Sequence, residues 1–494
     1  MLEEQKRKGV FVMKRGRIFS FLSVMVAASF LFSFPVLAKK EKRPHLEAAL
    51  EAARWIKASA VQTEEGTTWP AVPGNEESLN STLYSGTPGV VLFFLEAYYS
   101  TGDKEFLTEA RAGADYLLAA LEKEKSAGLY VGISGIGFAL QETYKATGDG
   151  KYIDGVKRCL QYLKDNALKR GRGIEWSQTT DIISGTAGTA LFLLYAAREL
   201  KDPSLLDLAA LAGWRLVELG QAEGGGTKWA MDPDYPRLMP NFSHGTAGVS
   251  YFLASLYKET KNEEFLHAAL SGARYLQSIA RTEGDICLIF HHEPDGKDLY
   301  YLGWCHGPTG TSNLFYRLYQ VTGDKSWMSW VERCARAILK SGIPGKETPG
   351  FWNNVGQCCG SAGVAEFILS LYRITKKQEY LDFAQRLTSD LLQRGTRDEF
   401  GLRWVHAEHR TRPKFLFAQT NLMQGAAGIG LWLLHLDAFE QGQKHRIILP
   451  DCAFLPEAPE GEDERDGKNQ DQIHSGQDIE DFFVAGLKLP HFSN

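Results

Sequence analysis

The amino-acid sequence predicts an all-α protein in which seven helical hairpins close into a ring, with seven inner helices surrounded by seven outer helices. Three features favour this fold: a glycine pair that recurs seven times, an apolar run after each pair, and an amphipathic run after most of them. A helix that is apolar on all sides is typically buried, so the apolar runs are expected to form the inner layer. An open superhelical stack of hairpins is the alternative, but its first helices would be less uniformly apolar.

The composition is that of a globular protein. The chain has 494 residues, of which 44% are hydrophobic, and its formal net charge is −5. That apolar fraction is ordinary for a globular protein. General nucleic-acid binding usually needs a strongly basic face, which this balance of charges does not favour. We therefore expect no nucleic-acid partner.

Residues 1–38 have the pattern of a secretory signal peptide. A basic cluster at residues 14–17 precedes the apolar run of residues 18–37, and a plausible cleavage site with small residues before it follows Ala38. Met13 is an alternative start. We expect the protein to be exported, to the periplasm or out of the cell. An uncleaved anchor is the alternative, because the run is nearly long enough to cross a bilayer; no membrane contact is expected beyond this segment.

The ring is predicted to span residues 39–450. It begins with a helix from His45 to Lys57 and a polar loop that ends near residue 80. The glycine pairs follow at steps of about 46 to 65 residues: Gly86/Gly89, Gly132/Gly135, Gly185/Gly188, Gly245/Gly248, Gly307/Gly310, Gly360/Gly363 and Gly425/Gly428. A repeat of this length indicates one supersecondary unit per copy.

The first copy shows what the unit contains. The apolar run includes Val90 to Leu95, a polar turn follows at Thr101-Gly102-Asp103, and an amphipathic run extends from Phe106 to Leu121. Glycine ends a helix at low cost, and aspartate caps the next one. Each unit is thus predicted to be a buried helix, a tight turn and a surface helix. The glycine turns should then lie together at one end of the inner barrel, where we expect a functional site.

Three of the seven cysteines stand in these glycine turns. Their sequences are Trp304-Cys305-His306-Gly307 and Gln357-Cys358-Cys359-Gly360. Thiolates are ligands that zinc selects, and the two turns are too far apart in sequence for a zinc finger. The sequence therefore predicts a zinc site assembled by the fold, with one coordination position left open. His306 is a spare candidate ligand, and a vicinal disulfide or a plain buried pair is the alternative for Cys358 and Cys359.

In combination, these motifs resemble the lanthionine synthetase C-like (LanC) cyclase family over roughly residues 50–440. The resemblance implies an α/α toroid with zinc at one end of the barrel. It also implies addition of a cysteine thiol to dehydroalanine or dehydrobutyrine, which forms a thioether. Cys305, Cys358 and Cys359 would be the zinc ligands, with water or a substrate thiol as the fourth ligand. A thiolate is the nucleophilic form of cysteine, and zinc favours that form.

The resemblance also suggests two catalytic residues. His244, in Ser243-His244-Gly245, matches the family's His-Gly motif, whose histidine is a proposed acid/base. Thiol addition creates an enolate that must be protonated, so an acid near the metal is expected. Asp181 matches the acidic residue before the third repeat, where a carboxylate could orient His244 or help to deprotonate the thiol.

Two positions depart from the family pattern. Cys359 stands where the family usually has histidine, which makes the zinc site one unit more negative and a bound thiolate more nucleophilic. Tyr301 stands four residues before Cys305, where cyclases often carry arginine. A phenol donates a hydrogen bond but brings no fixed charge, so this change bears on ring formation more than on zinc binding. Lys297 and Arg317 are nearby in sequence, but nothing supports them as substitutes.

The sequence thus favours a zinc-dependent thiol-addition enzyme of the LanC type that acts on a peptide or with a small thiol such as glutathione. A zinc-containing scaffold that binds peptides without catalysis is one alternative. A carbohydrate-active toroid is another, and it would need two facing carboxylates, for which Asp181, Glu175 and Glu408 are the candidates. The protein is expected to be a monomer.

Two further regions are assigned from composition. Residues 451–494 are acidic and poor in large apolar side chains, and they are predicted to be a disordered tail. The histidine-containing stretches His291-His292 and Trp404 to His409 are predicted to be loops.

Overall fold

The computed structural model describes residues 42–232, 234 and 238–454. Within these residues it contains fourteen α-helices in two concentric layers. The inner helices are α2 (Thr87–Thr101), α4 (Ile133–Thr147), α6 (Thr186–Leu200), α8 (Thr246–Thr260), α10 (Pro308–Thr322), α12 (Ser361–Thr375) and α14 (Ala426–Glu440). The outer helices are α1 (Pro44–Ala58), α3 (Lys104–Ala120), α5 (Gly150–Asp165), α7 (Pro203–Leu219), α9 (Glu263–Ile279), α11 (Lys325–Leu339) and α13 (Gln378–Gln393). The predicted α/α toroid is confirmed.

The inner helices form a closed ring. Each of them contacts the inner helices on both sides, and α14 packs against α2. Six hairpins are consecutive in sequence, whereas the seventh joins the two ends of the helical region, because α14 takes α1 as its outer partner. Arg43 donates to Asp437 at 3.0 Å, and His45 contacts Glu440 at 2.8 Å across this pair. The leading helix predicted at His45 to Lys57 therefore closes the ring.

A circle of backbone hydrogen bonds links the seven glycine turns at one end of the barrel. Each turn donates one N–H to a carbonyl of the next, with distances from 2.9 to 3.2 Å. The donors are Tyr84, Tyr130, Ile182, Ser243, Cys305, Cys358 and Met423. The circle holds all seven turns at the same level along the barrel axis. Side chains at equivalent positions of the repeat are therefore brought to the same end of the barrel.

The second glycine of each pair allows the turn to pack onto its own helix. At Gly310, a Cβ atom would lie 1.9 Å from the carbonyl oxygen of Trp304. A side chain there would push the turn that carries Cys305 away from α10. The helix ends match the prediction as well, since Gly102 adopts φ 72° after α2 and the side chain of Asp103 accepts from the N–H of Glu105 at the start of α3.

The described residues also contain short β-strands, which form three antiparallel pairs and one three-stranded sheet. The pairs are β1 (Val61–Gln62) with β2 (Thr67–Thr68), β3 (Leu168–Arg170) with β4 (Gly173–Glu175), and β5 (Gln221–Glu223) with β6 (Gly226–Lys228). The sheet contains β7 (Gly395–Asp398), β8 (Gly401–Ala407) and β9 (Leu416–Ala418). The loop prediction for Trp404 to His409 was therefore wrong for its first four residues, which belong to β8.

The chain after α14 turns back into the barrel. Asp451 is buried there and accepts a hydrogen bond from the hydroxyl of Tyr130 at 3.1 Å. The N–H of Ala453 donates to Asn313 at 3.0 Å, and the ring of Phe454 stacks on Tyr316. Residues 451–454, the first four residues of the predicted acidic tail, are thus packed against the ring.

Two predictions concern regions outside the described residues. These are the signal peptide at residues 1–38, with the export that depends on it, and the acidic tail from residue 455 onward. Among the helices that the structure does describe, none combines the length and the apolar character needed to cross a membrane.

Candidate metal centre and cleft

Two adjacent inner helices carry the three cysteines. Cys305 lies in the turn that opens α10, and Cys358 and Cys359 lie in the turn that opens α12. The N–H of Cys305 donates to the carbonyl oxygen of Cys358 at 3.2 Å, so the two turns are joined directly. The fold therefore brings together thiols that are more than fifty residues apart in sequence.

The three sulfur atoms form one compact cluster. All three Sγ atoms lie within 4.8 Å of one another, with 3.2 Å between Cys305 and Cys359 and 3.4 Å between Cys359 and Cys358. A disulfide has an S–S distance of about 2.05 Å, so Cys358 and Cys359 are not bonded to each other. Three thiolates on one zinc at about 2.3 Å would be roughly 3.8 Å apart. The donor set therefore fits a single soft metal ion with small adjustments.

Hydrogen bonds within the cluster favour one thiolate. Those from Cys305 and Cys359 lower the pKa of Cys358 well below its ordinary value, against the effect of burial. Tyr84 donates a further hydrogen bond to Cys358, and Gln424 donates to the hydroxyl oxygen of Tyr84 at 2.9 Å. Burial raises the pKa of Cys305 well above its ordinary value, and the pKa of Cys359 is raised as well, although the hydrogen bond from Cys305 lowers it. The cluster by itself therefore favours a thiolate at Cys358, and binding of a metal ion would have to release the protons of the other two thiols.

Sequence analysis did not identify Tyr84 or Gln424. The signal that could have found them is the repeat itself. Tyr84 stands two residues before its glycine, as Cys305 and Cys358 do, and Gln424 stands one residue before its glycine, as Cys359 does. The turn before α14 is hydrogen-bonded on one side to the turn that carries Cys358 and on the other to the turn that carries Tyr84, so Gln424 and Tyr84 are brought next to the cluster.

His244 and Asp181 form a hydrogen-bonded pair in two other glycine turns. His244 Nδ1 lies 2.5 Å from Asp181 Oδ2. Asp181 is fully buried, and its other oxygen accepts from the backbone N–H groups of Ser184 and Gly185, each at 2.8 Å. The fixed carboxylate favours the tautomer that carries the proton on Nδ1, which leaves Nε2 of His244 available for chemistry.

The electrostatic surroundings favour the protonated form of His244. Burial lowers the pKa of His244, whereas the hydrogen bond and the charge of Asp181 raise it, and the negative charge of Cys358 adds to that effect. The net result is a pKa above the ordinary histidine value. His244 can therefore carry a proton at neutral pH more readily than an isolated buried histidine could.

His306 lies beside the sulfur cluster and does not belong to it. Among the described residues, the group that could hold a metal ion consists of the three cysteines alone. The ring of His306 lies 4.0 Å from that of His291 and 5.6 Å from that of His244, measured between centroids. Burial lowers the pKa of His306 well below the ordinary value. The structure gives no support to His306 as a zinc ligand.

A cleft of about 350 Å³ opens over these groups. Its walls include the three cysteines, His244 and His306 from the glycine turns. Other walls come from loops outside the inner helices, and they contribute His291, Tyr301, Trp352, Glu408, His409 and Arg410. A substrate in this cleft would therefore contact both the sulfur cluster and the imidazole of His244.

The carboxylates do not form the facing pair that a glycosidase needs. Glu175 is bound to Arg215 at 2.6 Å beside the outer helix α7 and does not line the cleft. Asp181 is fully buried and hydrogen-bonded to His244. Glu408 is the one carboxylate that lines the cleft among the residues the structure describes. This arrangement disfavours glycoside hydrolysis in this cleft.

Neither basic residue close to Tyr301 in sequence reaches the cleft. Lys297 pairs with Glu293 at 3.0 Å on the surface, and Arg317 is buried within α10, where it donates to the hydroxyl of Tyr251. The guanidinium that lines the cleft is that of Arg410. Sequence analysis missed this residue, because nothing in the sequence indicates that a distant loop folds over the barrel end.

Comparisons with known proteins agree with this architecture. A family model described as lanthionine synthetase C-like protein matches residues 77–449. A curated relative, glutathione S-transferase LANCL1 of Danio rerio, is 24% identical over 139 residues. That match covers 28% of this chain and only 32% of the relative's length.

Solved structures show similarity of fold. Nisin cyclase is 19% identical, and the match has a TM-score of 0.55 and covers 75% of this chain and 91% of the cyclase. The GH76A α-1,6-mannanase from Salegentibacter sp. HEL1_6 is 15% identical, with a TM-score of 0.42 over 79% of this chain and 98% of the mannanase. At these identities the first likeness establishes the fold alone, and the second is too low to support an argument.

Proposed function

The chain belongs to the lanthionine synthetase C-like family, and from this membership we propose that it is a zinc-dependent enzyme that adds a thiol to a dehydroamino acid or a similar electrophile. One observation carries the proposal. Three buried sulfur atoms within 4.8 Å of one another line the same cleft as an imidazole that is hydrogen-bonded to a buried carboxylate. Thiol activation and proton transfer could both take place there.

Cys305, Cys358 and Cys359 would hold the zinc ion. Three protein ligands leave one of four positions for a substrate, as is usual for catalytic zinc. Bound zinc supplies a positive charge that favours the thiolate form of a substrate thiol at neutral pH. Tyr84, through its hydrogen bond to Cys358, would help to orient this ligand set.

His244 would act as the proton donor. The substrate thiol gives up its proton, and its sulfur forms a bond to the β-carbon of the electrophile while the C=C electron pair moves toward the adjacent carbonyl oxygen. Nε2 of His244 then gives a proton to the α-carbon, and the proton released by the thiol restores His244. The addition consumes no oxidant or reductant. Asp181 holds the imidazole in position and stabilises its charged form.

Two thiols are the substrates to test first. Nisin cyclase and a glutathione S-transferase are among the proteins similar to this chain, so we infer that a peptide cysteine or glutathione is its thiol substrate. A zinc-containing scaffold that binds peptides without turnover is the second candidate. The departure at Tyr301 is what favours it, since a phenol there brings no fixed charge.

Removing the metal tests the proposed reaction. The zinc-loaded protein is incubated with a dehydroalanine peptide and either glutathione or a cysteine peptide, and mass spectrometry follows the gain of one thiol. We expect addition to slow by at least about 100-fold after chelation and to recover when zinc is returned. Addition that is indifferent to chelation would contradict the zinc mechanism. Stoichiometric zinc without turnover of either thiol would favour the scaffold.

A second test concerns the proton donor. Asp181→Asn removes the charge that raises the pKa of His244, while the burial that lowers it remains. An acid loses its proton above its pKa, so the alkaline limb of the rate profile should move to lower pH in this variant. The measurement is kcat against pH for the variant and the parent. An alkaline limb at the same pH in both proteins would show that Asp181 does not set the proton affinity of the donor.

A further inference from the structure

Arg410 is a positively charged residue that lines the cleft but takes no part in the thiol activation and proton transfer proposed above. It lies in the loop of residues 408–415 between β8 and β9, and it lines the cleft together with the three cysteines. Within the described part of the chain, no other lysine or arginine lines this cleft. Because an arginine side chain is always charged, it places a permanent positive charge beside the sulfur cluster.

The loop that carries Arg410 is anchored on both sides. Gln419 donates to the carboxylate of Glu408 at 2.9 Å. The N–H of Arg412 donates to the carbonyl of His409 at 2.9 Å, which closes a turn around Arg410. On the strand before the loop, the N–H of Ala407 donates to Asn353, also at 2.9 Å. The fold therefore fixes the backbone of the loop on both sides of Arg410.

Tyr301 is the protein partner of this guanidinium. Both residues line the same cleft, and the guanidinium of Arg410 is placed to donate a hydrogen bond to the hydroxyl of Tyr301. The phenol ring is held between His291 and Trp352, with centroid distances of 4.4 and 5.2 Å. Burial raises the pKa of Tyr301 to about 12, so the hydroxyl keeps its proton and can donate it in a hydrogen bond.

The guanidinium also has a donor to spare. Nε of Arg410 is shielded from solvent and has no hydrogen-bond partner. A buried donor without a partner is destabilising, above all on a charged group, so it is expected to meet an acceptor when the site is occupied. Arg410 and Tyr301 line the same cleft as the three cysteines, so the pair lies beside the sulfur cluster.

We propose that Arg410 and Tyr301 form an oxyanion subsite that holds the carbonyl oxygen of the electrophile. When the thiolate sulfur bonds to the β-carbon, negative charge develops on this oxygen, and it disappears when the α-carbon is protonated. A guanidinium and a phenol fixed in a partly dry cleft stabilise that charge without having to reorganise. The positive charge that Tyr301 cannot supply would thus come from a loop about a hundred residues later in the chain.

The inference rests on the proposed function, so it needs one test that does not depend on turnover. 3-Mercaptopropionate has the S–C–C–C(=O) skeleton of the addition product, with negative charge on the oxygen that the subsite would hold. 3-Mercaptopropionamide is its neutral counterpart. We expect the zinc-loaded parent to bind the carboxylate at least about tenfold more tightly than the amide in calorimetric titrations. We expect Arg410→Gln to remove this preference.

Arg412→Gln is the matched control, because Arg412 lies on the same loop, is exposed and does not line the cleft. The control should keep the parent's preference and its kcat, whereas Arg410→Gln should lower kcat by about 100-fold or more with little change in KM and none in zinc content. If Arg410→Gln and Arg412→Gln showed the same preference for the carboxylate over the amide and the same kcat, the proposed oxyanion subsite would be wrong. A parent that shows the carboxylate preference but adds no thiol would instead contradict the proposed function and leave an anion site in place.

Discussion

The substitution His244→Ala is expected to lower the rate of thiol addition by about 100- to 10,000-fold and to leave one zinc per chain. The imidazole is placed for proton transfer, because Asp181 fixes its Nδ1 and Nε2 remains available beside the cleft. His244 does not belong to the sulfur cluster, so zinc binding should not depend on it. The measurements are kcat with a dehydroalanine peptide and zinc by elemental analysis.

The outer helix α9 offers a matched control for this prediction. His267 is exposed on that helix, so His267→Ala makes the same chemical change away from the cleft. It should retain the parent's rate and its zinc. If His244→Ala also kept the parent's rate, the imidazole would have no catalytic role. If it lost zinc together with activity, His244 would have to be reassigned as a ligand or a structural support.

The second large effect is expected at the cysteines. Cys305→Ala and Cys359→Ala should each reduce the zinc content from about one per chain to a small fraction, and thiol addition should be lost with the metal. Removing a residue that only supports a ligand typically costs about 10- to 100-fold in metal affinity, and loss of a ligand itself should cost more. The measurement is zinc per chain after dialysis against a weak chelator.

Cys159 supplies the control for this series. It is a buried free thiol in the outer helix α5, away from the barrel end, so Cys159→Ala removes a buried sulfur without touching the cluster. Zinc content should be unchanged in this variant. Zinc retained in both Cys305→Ala and Cys359→Ala would show that the metal, if present, is held elsewhere.

The fold could be predicted because each copy of the repeat is marked by residues that are close together in sequence. The glycine pair marks each turn, since only a residue without a side chain permits the close approach between Gly310 and the carbonyl of Trp304. The apolar runs after the glycines form helices that are apolar on nearly all sides, and such helices can be buried only if a second layer of helices surrounds them. The three cysteines were found for the same reason, as they occupy turn positions that the repeat brings to one end of the barrel.

The features that escaped prediction depend on contacts between distant parts of the chain. The pairing of α1 with α14 joins the two ends of the ring, and no local pattern specifies it. The burial of Asp451 depends on Tyr130, more than three hundred residues earlier. Arg410 belongs to a polar loop whose sequence resembles any exposed turn, and only the fold places it against Tyr301.

Tyr301 is instructive because sequence comparison alone suggests the loss of a charged group. In the structure, the phenol is one half of a pair whose other half comes from the loop after β8. The one guanidinium that lines this cleft among the described residues thus comes from a segment far from Tyr301 in sequence. Such a contribution is visible only in the folded structure.

X-ray absorption at the zinc edge, measured on the zinc-loaded protein, tests the three-cysteine site most directly. Three sulfur neighbours at about 2.3 Å and one lighter neighbour at about 2.0 Å are expected if Cys305, Cys358 and Cys359 hold the metal and the fourth position is open. A shell with two or fewer sulfur neighbours, or a shell of nitrogen and oxygen only, would contradict the proposed centre and the reaction built on it.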